Sequence, residues 1–299
     1  STAKQRPEGG WLWKISGNGL SHPSYLFGTY HGTYDILYQY TDSIPELHQA
    51  FNACSQFAGE SETTSKPTPA QVGAAIKLPK DTTYADLLNK EDFHFLDSIV
   101  RQSLKSPLNK MYIKPNFLAL ILGEIEKGKK LVDTGYSQSR IDSMKSQVMD
   151  IALEKKAKEK GLTIVGLEGI FDAFVSEKSN LKKEADELIS DLREDDEISP
   201  LSFVNTLSDV YRTQNMKSLI DFEVKVDSIF RTSPKLTEIG KRIREDLLKR
   251  RNLNWMNKIP ELMKAQPTFI AVGVRHLPGK DGLIALLLEK GYQVEPIGL

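Results

Sequence analysis

Cysteine is almost absent from this sequence of 299 residues, and its scarcity excludes two kinds of site. Cys54 is the only thiol, so the chain cannot form an internal disulfide or hold a metal with a CxxC knuckle. The surrounding stretch, "AFNACSQF", is typical of a buried cysteine that packs against apolar neighbours rather than of a nucleophile.

A net charge is absent as well. Forty basic and forty acidic side chains cancel, which argues against nucleic acid as a partner. No run reaches the roughly 18 apolar residues of a membrane span. The polar opening "STAKQRPEGG" lacks a Met, and we interpret residues 1–10 as a flexible lead left after removal of a signal or attached to a lipid anchor upstream. We therefore expect an extracytoplasmic location, in the periplasm or at the cell surface.

Several catalytic motifs are also missing. "GLEG" and "LPGKDG" lack the spacing and the Lys-Ser/Thr ending of a phosphate-binding P-loop. Neither a Gly-x-Ser-x-Gly nucleophile elbow nor a His-Glu-x-x-His zinc helix occurs. Any active site must therefore be built from other residues.

What the sequence does contain is a pattern of short apolar strands separated by long helical regions. We predict a β-hairpin near residues 11–31 and helical regions at 63–131 and 169–266. The other expected strands lie at 56–61, 162–168, 268–276 and 292–297. They predict a single α/β domain at 11–297, in which one mixed sheet has helices on both faces and a helical insertion over its strand ends.

Two helices can be predicted in more detail. "NFLALILGEIEKG" indicates a buried helix that ends at Gly128. "SMKSQVMDIALEKKAKEKG" predicts one amphipathic helix, with Val148, Ile151 and Ala152 on one face and Gly161 as its end.

Two Gly-x-x-His elements are the strongest chemical signal. "LFGTYH" ends at His31 and "AVGVRH" ends at His276, and each follows an apolar run. Glu60 and Glu168 end two further predicted strands, and ligands bind where the strands of open α/β sheets end. Two imidazoles with one or two carboxylates suit a zinc, manganese or cobalt ion. From the residues alone, a purely structural role for these two histidines is about as well supported as metal binding.

The sequence resembles the TraB/GumN family in blocks that follow one another from about Trp11 to Ile297. These blocks are "YLFGTYH", "IPELHQAFNACSQFAGESE", "MDIALEKKAKEKGLTIVGLEG", "RRNLNWMNKI" and "FIAVGVRHLPGKDGLIALLLEKGYQVEPI". The family includes the Tiki metalloproteases, and similar sheets occur in erythromycin-esterase-like and ChaN-like haem-binding proteins. The sequence departs from the usual pattern at "GIFDAF" after "GLE" and at Arg275.

The resemblance implies a metal-dependent hydrolase, most simply a peptidase, that uses a divalent Mn, Co or Zn ion on a peptide or small-molecule substrate. In this interpretation the metal ligands are His31, Glu60 and His276. Glu168 is the general base, and Arg251 or Arg275 stabilises the oxyanion, although the roles of Glu60 and Glu168 could be exchanged. Four further residues support this site: Gly28 and Gly273 of the two motifs, Asp150 at the start of a helix, and Asn252 next to Arg251.

Two alternatives belong to other classes. A haem-binding protein without turnover would use the strand-end histidines as axial ligands, or Tyr30 or Tyr34 beside His31. A family member whose site has decayed is the second alternative, which the altered "GIFDAF" segment supports.

Overall fold

A computed structural model describes residues 9–31, 38–62, 67–172, 180–193 and 200–298, and of residues 200–205 it describes the backbone alone. Within these residues the chain divides into two compact units. The first contains residues 1–65, 144–170 and 201–299, and the second contains residues 66–143 and 171–200. The predicted single domain at 11–297 stays a prediction.

A six-stranded mixed sheet forms the centre of the first unit. Its spatial order is β4-β3-β5-β2-β1-β6. The four strands from β4 to β2 run parallel, whereas β1 is antiparallel to both β2 and β6. The bounds are β1 Leu12–Ser16, β2 Ser24–Thr29, β3 Gln56–Gly59, β4 Thr163–Gly166, β5 Thr268–Gly273 and β6 Gln293–Pro296. The predicted α/β fold, with one mixed sheet assembled from distant segments, is confirmed.

The middle of the sheet is apolar because its central strand is covered on both faces. Every residue of β5 is buried, as expected for a strand in the parallel part of a sheet. Phe269 of β5 lies within 6.2 Å, between ring centroids, of Phe27, Phe51 and Phe57. Full burial of each such side chain contributes about 1.5–3 kcal/mol, so this aromatic cluster fixes the strands whose ends carry the polar residues.

Helices make up most of the remaining chain. The first unit contains α1 Leu47–Asn52, α7 Met149–Glu159, most of α9 Pro200–Arg212, α10 Met216–Phe230, α11 Pro234–Arg242, α12 Arg250–Trp255, α13 Ile259–Ala265 and α14 Leu283–Glu289. A π-helical segment, Ile243–Lys249, joins α11 to α12. Short 3₁₀ turns occupy Tyr38–Ser43, Leu108–Lys110 and Val274–His276.

The second unit is helical around its own apolar core. Its elements are α2 Pro69–Ile76, α3 Tyr84–Leu87, α4 Lys90–Leu104, α5 Pro115–Asp133, most of α6 Gln138–Ser146, and α8 Leu181–Arg193. Leu96, Val100 and Leu118 are fully buried at its centre. Among the described helices of the chain, none combines the length and the apolar content that crossing a membrane requires.

Both detailed helix predictions need correction. Helix α5 continues past Gly128 to Asp133, because a glycine within a helix weakens it without ending it. The helix predicted at 143–161 is two helices, and Val148 is the non-helical N-cap of the second, with ψ 136°. This break changes the buried face to Met149, Leu153 and Ala157 and leaves Ile151 exposed. The predicted end is confirmed, since Gly161 has φ +77°.

Candidate functional site

The carboxyl ends of the four parallel strands meet at one edge of the sheet. His31 follows β2, Glu60 follows β3, Glu168 follows β4, and His276 ends the 3₁₀ turn after β5. Parallel strands place their carboxyl ends on the same side. The structure therefore brings together the four residues that the sequence singled out.

Glu60 is the residue that connects both histidines. Its Oε1 lies 3.0 Å from Nε2 of His31 and 3.7 Å from Nε2 of His276. The same oxygen accepts a hydrogen bond of 2.8 Å from the backbone N–H of Gly273. Burial would raise the pKa of Glu60, but His31, His276 and Arg251 hold it well below its usual value. Glu60 is thus a carboxylate fixed between two imidazoles.

The other nitrogen of His31 faces a second carboxylate. Nδ1 lies 3.0 Å from Oδ2 of Asp150, and Oδ1 of Asp150 accepts a 2.7 Å hydrogen bond from Thr29. Burial would lower the pKa of His31, but the carboxylates of Asp150 and Glu60 raise it well above its usual value. The side chain of His31 is 45% exposed, against 4% for His276, so solvent reaches the site at His31.

His276 is held by Asn252. Asn252 donates through Nδ2 to the carbonyl oxygens of His276 and Asp281, which orients its Oδ1 toward Nδ1 of His276 at 2.7 Å. From this network we assign the proton of His276 to Nδ1, which leaves the lone pair of Nε2 directed at the site. Burial lowers the pKa of His276 to about 3, with Glu60 opposing and Arg251 reinforcing that shift.

Helix α12 supplies the cation of the site. Nη2 of Arg251 lies 2.5 Å from Glu60 Oε2 and 2.5 Å from Glu168 Oε1, and Nη1 is 3.4 Å from Nε2 of His276. Four residues later, Trp255 donates from Nε1 to Glu168 Oε2 at 3.0 Å. The π-helical segment before α12 is of a type found frequently at functional sites.

The two motif glycines are required by close packing between the motifs. A Cβ on Gly273 would lie 2.6 Å from Cδ2 of His31, and a Cβ on Gly28 would lie 2.8 Å from Cγ2 of Val274. Each glycine thus accommodates a residue of the other Gly-x-x-His element. The repeated motif is one interlocked unit, in which β2 and β5 pair in parallel.

Not every predicted residue lies in this cluster. The guanidinium of Arg275 binds Glu223 through two hydrogen bonds, of 2.6 and 2.9 Å, so Arg251 is the better-placed cation. Tyr30 is buried in the core with its ring 5.5 Å from that of Tyr211, and Tyr34 lies outside the described residues. Asp150 and Asn252 contact the histidines as supporting residues.

Trp255 is the member of the cluster that the sequence analysis missed. Its ring centroid lies 4.5 Å from that of His276 and 4.8 Å from Cζ of Arg251. The sequence did contain one indication that Trp255 lies near the site: it follows Arg251 by four residues, which places both side chains on one face of a helix. A tryptophan in an amphipathic helix is usually a core residue, and Trp255 is also fully buried.

The donor atoms suit a divalent cation, although the guanidinium of Arg251 contacts several of them. Three carboxylates (Glu60, Asp150 and Glu168) against one guanidinium leave two negative charges when both histidines are neutral. The Nδ1 atom of each histidine contacts Asp150 or Asn252, as is usual for metal-binding histidines. Within the described residues, no three His, Cys, Asp or Glu side chains already stand at metal-ligand spacing. The residue types therefore fit the predicted ion, and Arg251 contacts two of them, Glu60 and His276.

Comparisons with known proteins give one finding. No curated protein matches the chain, and no solved structure matches it. The model of the TraB/PrgY/gumN family matches residues 11–296, nearly the whole sequence. This match includes every residue of the cluster described above. The chain therefore belongs to the TraB/PrgY/gumN family.

Proposed function

We propose that this protein is a metal-dependent hydrolase of the peptidase type. The observation that carries the proposal is that the Nε2 atoms of His31 and His276 both face Oε1 of Glu60, at 3.0 and 3.7 Å. Two imidazoles and a carboxylate directed at one point form a ligand set used by catalytic zinc and related ions. A structural pair of histidines would not require this convergence.

His31, Glu60 and His276 would hold the ion. When bound, a divalent ion lowers the pKa of its water to about 7 and polarises a carbonyl oxygen. Asp150 and Asn252 fix the orientation of the two imidazole rings through their Nδ1 atoms. The exposed edge of His31 is the side from which a peptide or small-molecule substrate would approach.

Glu168 and Arg251 are the residues available for proton transfer and charge stabilisation. Glu60 contacts both histidines and Asp150 contacts His31. Glu168 is therefore the carboxylate of the cluster left to take the proton of the attacking water and pass it to the leaving amine. Trp255 and Arg251 orient its two oxygens. The Arg251 guanidinium would stabilise the negative charge that develops on the carbonyl oxygen of the substrate.

Metal content and melting temperature, with and without Mn²⁺, Co²⁺ or Zn²⁺, test the proposal in four proteins: wild type, His31→Ala, His276→Ala and Glu168→Gln. We expect the metal to stabilise wild type and Glu168→Gln by about 2.7 kcal/mol at a metal concentration 100 times Kd. Both histidine variants should lose this stabilisation. Glu168→Gln should bind metal but not turn over substrate, because a base can be removed without removing a ligand.

Two results would overturn the proposal. Equal melting behaviour of all four proteins at every metal concentration would mean that the Gly-x-x-His elements are structural. A Soret shift on addition of haemin that is lost in His31→Ala would favour the haem-binding alternative. Tyr30 gives that alternative little support, since it is buried in the core.

A further inference from the structure

Arg251 contacts two of the groups that a divalent cation would use. Its Nη2 contacts Oε2 of Glu60 at 2.5 Å, and its Nη1 lies 3.4 Å from Nε2 of His276. Both partners are ligands in the proposed metal-dependent function. A carboxylate that accepts from a guanidinium offers less electron density to a metal, and a lone pair directed at an N–H cannot also bind an ion.

The arginine is a strong occupant of this position. A guanidinium keeps its charge in proteins, and its charge-assisted hydrogen bonds to carboxylates are about twice as strong as neutral ones. The Arg251 side chain is only 19% exposed, and those of Glu60 and Glu168 are 16% and 14% exposed. Limited contact with water strengthens the attraction between these groups.

We propose that Arg251 is an internal counter-ion that competes with the divalent cation for Glu60 and His276, so that removing Arg251 strengthens metal binding. The inference rests on the proposed function, since it concerns the same ligand set. It differs from a supporting role for Arg251, which would make metal binding weaker when the arginine is lost.

The contacts of Arg251 outside the ligand set explain how it remains at the site during this competition. Its Nε lies 3.1 and 3.2 Å from the two oxygens of Glu168, and its Cζ lies over the ring of Trp255. Neither residue is a proposed ligand. If Glu60 and His276 bound a cation, the contacts with Glu168 and Trp255 would still hold the guanidinium at the site.

Direct titration with Mn²⁺, Co²⁺ and Zn²⁺ by calorimetry tests this role without a substrate. The test variant is Arg251→Met, which keeps a long side chain and removes the charge. Arg244→Met is the matched control, because Arg244 also pairs with a carboxylate, that of Asp227, but touches no member of the cluster in the described contacts. Melting temperatures of the metal-free proteins are measured in parallel.

We expect Arg251→Met to bind the ion at least about tenfold more tightly than wild type, which corresponds to 1.4 kcal/mol. Its metal-free form should melt at a lower temperature, because Glu60 and Glu168 lose their counter-ion. Arg244→Met should bind like wild type. If Arg251→Met does not fold, Arg251→Lys replaces it, since lysine keeps the charge but lacks the fork that spans both carboxylates; it should bind more tightly than wild type by a smaller factor.

The possible failures are distinct. If wild type binds metal and the Arg251 variant binds it equally or more weakly, the counter-ion role is wrong and the proposed function stands. If neither protein binds any of the three ions, the proposed function is overturned, and the counter-ion role with it. Equal tightening in Arg244→Met would mean that net charge, rather than competition at Glu60 and His276, sets the affinity.

Discussion

The α-carbon of Gly273 lies directly against the imidazole of His31. A Cβ at this position would come within 2.6 Å of Cδ2 and 2.8 Å of Nε2 of that ring. The glycine of the second Gly-x-x-His element therefore sets the position of the histidine of the first. Neither element can be changed without affecting the other.

Gly273→Ala should consequently displace His31. We expect a loss of about 1–3 kcal/mol in the free energy of unfolding, as for overpacking elsewhere. A 10- to 100-fold weaker affinity for Mn²⁺ should accompany it, the loss typical of a disturbed metal shell. Calorimetric titration and urea denaturation measure the two effects.

Gly128→Ala is the control for Gly273→Ala. Gly128 lies within helix α5, and a Cβ there would meet nothing within 4 Å. This change should stabilise the protein by about 0.5–1 kcal/mol and leave metal affinity unaltered. Wild-type metal affinity in Gly273→Ala would contradict the interlocking of the two motifs.

Asn252→Ala should weaken both the fold and the site. The change leaves the carbonyl oxygens of His276 and Asp281 without their shared donor and frees the ring of His276. We expect a loss of about 1–3 kcal/mol in the free energy of unfolding and a 10- to 100-fold loss of metal affinity. The exposed Asn254 of the same helix is the control, and Asn254→Ala should stay within about 0.5 kcal/mol of wild type. Indistinguishable behaviour of the two variants would refute this role.

Trp255 should report metal binding through its fluorescence. Its indole lies 4.5 Å from the ring of His276, between centroids, so a paramagnetic Mn²⁺ or Co²⁺ ion held by that histidine should quench its emission. Trp255→Phe should abolish the metal-dependent change. Trp11→Phe is the control, because it alters another buried indole, which donates to the carbonyl oxygen of Tyr211. This variant should retain the metal-dependent quenching. Quenching that persists in Trp255→Phe would place the ion elsewhere.

Cys54 should make the protein less stable at alkaline pH. Burial raises the pKa of its thiol from 9.0 to about 12, so unfolding releases a proton once the pH exceeds 9. The stability of the folded state is then unaffected below pH 9 and falls as the pH rises toward 12, by about 1.4 kcal/mol at pH 10. Urea denaturation of wild type and Cys54→Ala at pH 7 and pH 10 isolates this contribution. An identical change with pH in both proteins would contradict it.

The sequence was informative where an apolar strand ends in a polar residue. His31, Glu60, Glu168 and His276 each follow a strand, and parallel pairing alone brings such residues to one edge. The aromatic and β-branched residues of β5 were also sufficient to predict a buried strand. These patterns involve residues that are close in the chain, so they can be recognised in a single sequence.

The relations between distant side chains could not be predicted in this way. The helix breaks before Met149 at the non-helical Val148, next to Gln147, whose carbonyl accepts a hydrogen bond from the backbone N–H of Tyr38. No local pattern predicts that contact. Arg275 shows the same limit, since its position beside His276 suggested a catalytic cation, whereas the structure pairs it with Glu223. Which acid an arginine binds is decided by tertiary packing.

Strand β5 lies between β2 and β3 in the sheet, although β3 ends at Gly59 and β5 begins at Thr268. During synthesis the hairpin of β1 and β2 therefore leaves the ribosome long before the strand that joins it to β3. Until then, both neighbours present open edges with unpaired backbone groups, which are liable to associate with other chains. Such non-local pairing is intrinsically slow. The nascent protein thus exposes the edges of β2 and β3 until β5 is made, and the insertion that joins these two strands also brings His276 to Glu60.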